Sequence, residues 1–171
     1  NSRVYMAAKM STATKIPGPQ KTYTGVAENV TLTNEGSIVT DGAITNAGTI
    51  KNTEAANWKN EGVVANTTTG EIYNEGSLDN TSGQINNAGL FDGEGAIANE
   101  NGVITSTEGI LQNQISNGSN GQIVSEASWN EDGKKYYGPI DEAIESATNN
   151  TDEEVTITVE KNVSINENAT I

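Results

Sequence analysis

Apolar positions along this chain come in short bursts, and a glycine precedes each one. Residues 34–50 read NEGSIVTDGAITNAGTI, in which Gly36 leads Ile38, Gly42 leads Ile44 and Gly48 leads Ile50, six residues apart. The phrase continues as Gly62–Val64, Gly70–Ile72, Gly76–Leu78, Gly83–Ile85, Gly89–Phe91, Gly95–Ile97, Gly102–Ile104, Gly109–Leu111 and Gly121–Ile123, with lapses at 51–60 and 112–120. Self-similarity on this scale is the first fact about the fold.

A helix cannot hold the pattern. Glycine every six or seven residues costs a helix up to about 1 kcal/mol each, and the isoleucines do not recur at 3.6. A hairpin meander is awkward too, because six residues cannot supply two paired strands and a tight turn. One short strand and one bend per unit fit. The bend falls on Asn, Asp or Gly, which tolerate left-handed backbone angles, and one apolar residue per strand points inward. Three units, about 20 residues, close a triangular coil, and the next coil stacks in parallel about 4.8 Å above it. The pattern therefore predicts an all-β chain: a single-stranded parallel β-helix, or β-solenoid, with one short capping helix. The asparagines ahead of the glycines, Asn34, Asn46, Asn60, Asn74 and Asn101, would stack at the bends and bond along the axis in ladders.

The period changes near the C-terminus. In YYGPIDEAIESATNN, Pro139 suits a first helical turn, and Asp141 and Glu142 favour its positive end. Ile140, Ala143, Ile144 and Ala147 share one face, which predicts a helix over about 139–148. EVTITVEKNVSI then alternates as a strand, with Val155, Ile157 and Val159 on one side. The expected organisation is an N-terminal leader segment (1–24), a solenoid (25–128), and a capping helix that opens a second β-helix segment (129–171). A chain starting at Asn1 without methionine is expected to be a processed or excised piece.

Composition alone points elsewhere. Leu, Ile, Val and Phe make 32 of 171 residues and the net charge is −14, a combination usual for disordered chains. The repeat overturns that expectation, because a solenoid core is a thin column needing one inward residue per two or three outward ones. There is no cysteine, so neither disulfides nor thiolate chemistry arise, and no histidine to serve as general base or metal ligand. No Lys or Arg occurs between residues 60 and 133. Such an acidic surface repels phosphate backbones and anionic lipid, so nucleic acid is not an expected partner. No run of about 18 apolar residues exists to insert into a membrane.

The repeated N-x-G-x-I phrase over roughly 30–125 resembles the right-handed parallel β-helix regions of bacterial surface adhesins, including haemagglutinin-type repeats. The stretch YYGPIDEAIESA…EVTITVEKNVSI is similar to a segment of large surface proteins of gut-dwelling Gram-positive bacteria, where a tyrosine, a short Ala-rich helix and a V-T-I-T strand open a β-helix. The resemblance implies an extracellular position on a bacterial cell surface.

Candidate chemistry is sparse. Trp58, Trp129, Tyr136 and Tyr137 could stack on a sugar, although the favoured reading is that each plugs an irregular coil or an end of the stack. Asp92 and Glu94, two apart in LFDGEGAI, are candidates for an acidic metal site, with calcium the possible ion and no other cofactor expected. The same two would be the carboxylates of a polysaccharide-degrading β-helix, the alternative reading, but lyases of this fold typically add a cationic base. The main expectation is a non-enzymatic adhesin or stalk contacting a host or microbial surface glycan or protein. Open solenoid ends also allow end-to-end self-association.

Overall fold

A computed structural model describes residues 24–150, 154–161 and 163. The chain coils through three parallel sheets that form the sides of a triangular column. One coil runs through Ala43–Asn46 in sheet A, Thr49–Asn52 in sheet B and Asn57–Asn60 in sheet C. In sheet A, Ala43 pairs with Val63, Val63 with Gln84, Gln84 with Val103 and Val103 with Gln122, a step of 19 to 21 residues per coil. This is the β-solenoid that the glycine phrase predicts, with a single short helix among the described residues.

Each strand sends one apolar side chain inward, and these stack coil on coil. The sheet B column is Leu32, Ile50, Ile72, Phe91 and Leu111, and the sheet C column is Ile38, Trp58, Leu78 and Ile97. The 51–60 lapse does not interrupt the column. Residues 53–56 make a wider bend, and Trp58 takes the inward place with its Nε1 donating to Thr40 Oγ1 at 2.9 Å.

The corners are held by amides. Asn34, Asn52 and Asn74 form one ladder; Asn46, Asn66, Asn87 and Ser106 a second; Asn60, Asn80, Asn99 and Asn117 a third. In every rung Nδ2 donates toward the C-terminal end, so the three ladders are polar in the same sense. In most rungs the same Nδ2 also reaches a backbone carbonyl one coil on, as in Asn46 Nδ2 to Glu71 O at 3.0 Å. Asn101, expected in a ladder, is instead exposed and accepts from Asn120, because its coil places Asn99 at the corner.

At the C-terminal end, sheet B changes direction. The hairpin Ala127–Glu131/Lys134–Gly138 adds to it antiparallel, Leu111 opposite Tyr137. Sheets A and C end at Gln122–Ser125 and Gln114–Asn117, strands paired on one side only among the described residues. The helix spans Ile140–Asn149 and, as its pattern predicts, buries Ile140, Ala143 and Ile144 while Glu142 and Glu145 face solvent. It packs on a small second core with Ala127 and Trp129. Strand Ile157–Val159 then pairs antiparallel with Ala127–Trp129. Val155 and Ile157 face the small core, but Val159 is exposed. The leader, apart from Thr24, and residues 151–153, 162 and 164–171 of the segment where a second coil stack is expected lie outside the described residues.

Candidate functional site

Of the four aromatics singled out by sequence, two are spent on packing. Trp58 is 2% exposed inside the solenoid, and Trp129 is 3% exposed beneath the helix, stacked on Tyr136 with ring centroids 5.5 Å apart. Neither indole has a free face: Trp58 continues the sheet C column, and Trp129 belongs to the small core under the helix. Tyr136 is half-buried in that stack, and burial raises its phenol above the ordinary value. Tyr137 lies half-buried over the end of the solenoid core, with Lys135 Nζ 5.1 Å from its ring centroid.

Asp92 and Glu94 turn to different partners. Asp92 Oδ1 accepts from the backbone N–H of Gly93 at 2.8 Å, within its own bend, whereas Glu94 is exposed and ion-paired with Lys134. The carboxylate beside it holds the Lys134 ammonium above its ordinary value. Among the described residues no three acidic side chains gather in a way that could hold a metal ion. Glu94 thus has a cation that the chain supplies 40 residues further on.

Two concavities are built around these groups. The larger is an open groove of about 830 Å³ along the outer face of sheet B, walled by Thr49, Lys51, Glu71, Tyr73, Glu75 and Glu94. Its geometry follows from strand phase. Ile50 and Ile72 point inward, so Lys51 and Tyr73 point outward, and the parallel register sets Lys51, Tyr73 and Asp92 side by side up the face. Thr49 Oγ1 donates to Glu71 Oε2 at 3.3 Å, and the N–H of Glu94 donates to Glu75 Oε2 at 3.2 Å, which orients both carboxylates. Burial first, then the charges of Glu71 and Asp92, raises the Tyr73 phenol above its ordinary value.

The smaller is a pocket of about 310 Å³ where the corner between sheets B and C meets the hairpin, with Glu94, Gln112, Asn113, Lys134, Lys135 and Tyr137 on its walls. Glu94 borders both. Of the residues picked from sequence, the structure brings Glu94 and Tyr137 together here. Sequence reasoning missed Lys51, Tyr73, Gln112 and Asn113. Tyr73 was readable, since an inward Ile72 forces its neighbour outward. The signal for Gln112 and Asn113 was the lapse of the glycine phrase over 112–120.

Fold and site define a β-solenoid with an acidic, tyrosine-bearing face. Compared with known proteins, the chain matches no family model, no curated protein and no solved structure.

Proposed function

We propose that this chain is a non-enzymatic β-solenoid module of a bacterial surface protein, working outside the cell as an adhesin or stalk that touches a host or microbial glycan or protein. The observation that carries this reading is the sheet B groove, where a half-exposed Tyr73 stands between Lys51 and Asp92 on a scaffold stapled by three amide ladders. A tyrosine ring accepts the C–H face of a sugar, while oriented carboxylates accept its hydroxyls, and a rigid face loses little entropy on binding. The resemblance of the N-x-G-x-I phrase to adhesin repeats supports the same setting. Strands paired on one side only, among the described residues, at the C-terminal end of sheets A and C make end-to-end association the natural mode of assembly.

A glycan array followed by titration of the bound glycan tests the reading. Tyr73→Ala is expected to abolish binding while circular dichroism stays β-rich. Binding that survives this change removes the groove. An array without a ligand removes the glycan part and leaves a stalk, which concentration-dependent light scattering then examines for end-to-end growth.

A further inference from the structure

The groove on sheet B has a shape and a charge that narrow what it can hold. Its long direction runs across the strands. Thr31, Thr49 and Glu71 stand in register on three successive coils, and Lys51, Tyr73 and Asp92 form the neighbouring column. From Thr31 to Glu94 the groove climbs four coils, three steps of about 4.8 Å, a span that one sugar ring cannot fill. Four carboxylates wall it, Glu54, Glu71, Glu75 and Glu94, against one ammonium, Lys51. Lys134 neutralises Glu94, but among the described residues no cation, Lys51 included, lies within ion-pair distance of the other three. The half-exposed ring of Tyr73 stands among them. Burial first, and then the charges of Glu71 and Asp92, hold its phenol protonated.

We infer that this groove takes a linear polysaccharide of amino sugars, lying along the column axis with a protonated amine over Tyr73 and beside Glu71. The inference rests on the glycan-contacting reading above and narrows it to one class of sugar. An aromatic face attracts a cation through its ring quadrupole, and a carboxylate at its edge adds a charge-assisted hydrogen bond. Chains bearing uronate, sulfate or sialic acid are repelled by the three unneutralised carboxylates. A neutral chain gains hydroxyl bonds but leaves those charges uncompensated. A basic peptide carries the right charge but finds no backbone partner. Thr49–Asn52 and Glu71–Asn74 are each paired on both sides within sheet B, so no strand can add there. Sugar hydroxyls need no sheet edge, and Thr49, Lys51 and Thr53 wall the groove beside the carboxylates to meet them.

The test is isothermal titration at low salt with the β-1,4-linked glucosamine tetramer, its fully N-acetylated counterpart, glucosamine itself and tetralysine. The glucosamine tetramer is expected to bind at least about tenfold more tightly than each of the others. Its binding should weaken as added salt screens the carboxylates. Glu71→Gln and Tyr73→Ala should each weaken it several-fold while circular dichroism stays β-rich. Glu61→Gln, which removes the same charge at the corner between sheets C and A, should leave it unchanged. Equal binding of the N-acetylated tetramer or of the single sugar overturns the inference and leaves the glycan reading in place. Equal binding of tetralysine, or an equal loss in Glu61→Gln, also overturns it, by showing adsorption of any polycation on a chain of net charge −14. Failure of the glucosamine tetramer to bind overturns it outright. The glycan reading then stands or falls on whether the array yields a different ligand whose binding Tyr73→Ala abolishes.

Discussion

Asn66 and Asn87 are joined by a 2.8 Å bond from Nδ2 to Oδ1, and the same Nδ2 reaches Leu90 O at 3.0 Å and Gly70 O at 3.1 Å. Asn66 in turn accepts from Asn46 Nδ2 at 2.8 Å. A side chain that is 2% exposed therefore ties three successive coils together. The apolar column is narrow, so the amides carry a share of stability that a globular core would carry by volume.

Removing that side chain orphans donors and acceptors on both neighbours. Each buried polar group left unpaired costs about 1–3 kcal/mol, so Asn66→Ala should lose about 3 kcal/mol or more, far beyond one amide bond between equals. Thr45→Ala, on the exposed face of the same sheet, should stay within about 0.5 kcal/mol. Urea unfolding of the two variants checks this, and equal midpoints would show that the ladders are ornamental.

Glycines with one role in the sequence phrase have two in the structure. Gly36 has open space where a Cβ would go, whereas at Gly93 the Cβ would meet Asn74 O at 2.2 Å with φ at 132°. Gly36→Ala should stabilise the fold by about 0.4–1 kcal/mol through the unfolded chain. Gly93→Ala should destabilise it by about 2 kcal/mol or more, from backbone strain and the clash together. Thermal melts that moved in the same direction for both would refute the distinction.

The glycine phrase makes strand phase legible because glycine and the inward residue sit a fixed two places apart. Ile38, Ile50, Val64, Ile72, Leu78, Ile85, Phe91, Ile97, Ile104 and Leu111 are all inward as the phrase implies. The ladders were legible only in part. Asn52, Asn66, Asn80 and Asn99 stand at corners without the N-x-G spacing, since wider bends carry the glycine further away or omit it. The pocket was not legible at all. Its walls come from residues 94, 112–115, 133–135 and 137, brought together by coil stacking and by an antiparallel turn that no local pattern announces. Lys134 illustrates the gap: along the sequence it merely ends a cation-free stretch, yet in space it closes on Glu94.

Alkaline pH should reveal the two partly buried phenols. Tyr73 and Tyr136 are both raised above 10.0, burial being the first cause in each. The folded state thus favours the protonated phenol more than the unfolded chain does. Stability from these groups is fully present below the unfolded value of about 10 and is lost as pH rises through the folded values. The melting temperature should therefore fall above about pH 10, and less steeply in Tyr73→Phe and Tyr136→Phe. An absorbance titration in which all tyrosines ionised together near pH 10 would contradict this.

The helix Ile140–Asn149 sits on the outer side of the hairpin extension of sheet B, with Ala143 fully buried and Ile144 8% exposed against Ala127 and Trp129. Its first turn is fastened by Glu126, whose Oε2 accepts from the N–H of Ile140 at 3.2 Å. Ile144→Asp would place an unpaired carboxylate in that small core, at a cost of several kcal/mol. The solenoid below has its own columns and ladders, and neighbours in a stacked array share stability only across their interfaces. Hydrogen exchange in Ile144→Asp should therefore lose protection in the helix and in Ile157–Val159, and weaken it in the hairpin. Strands from Thr31 to Ser106 should keep the parent's protection. Unchanged exchange at Ile157–Val159 would mean that the strand is held by its pairing with Ala127–Trp129 alone, and that the helix is a passenger on the sheet rather than part of what closes it.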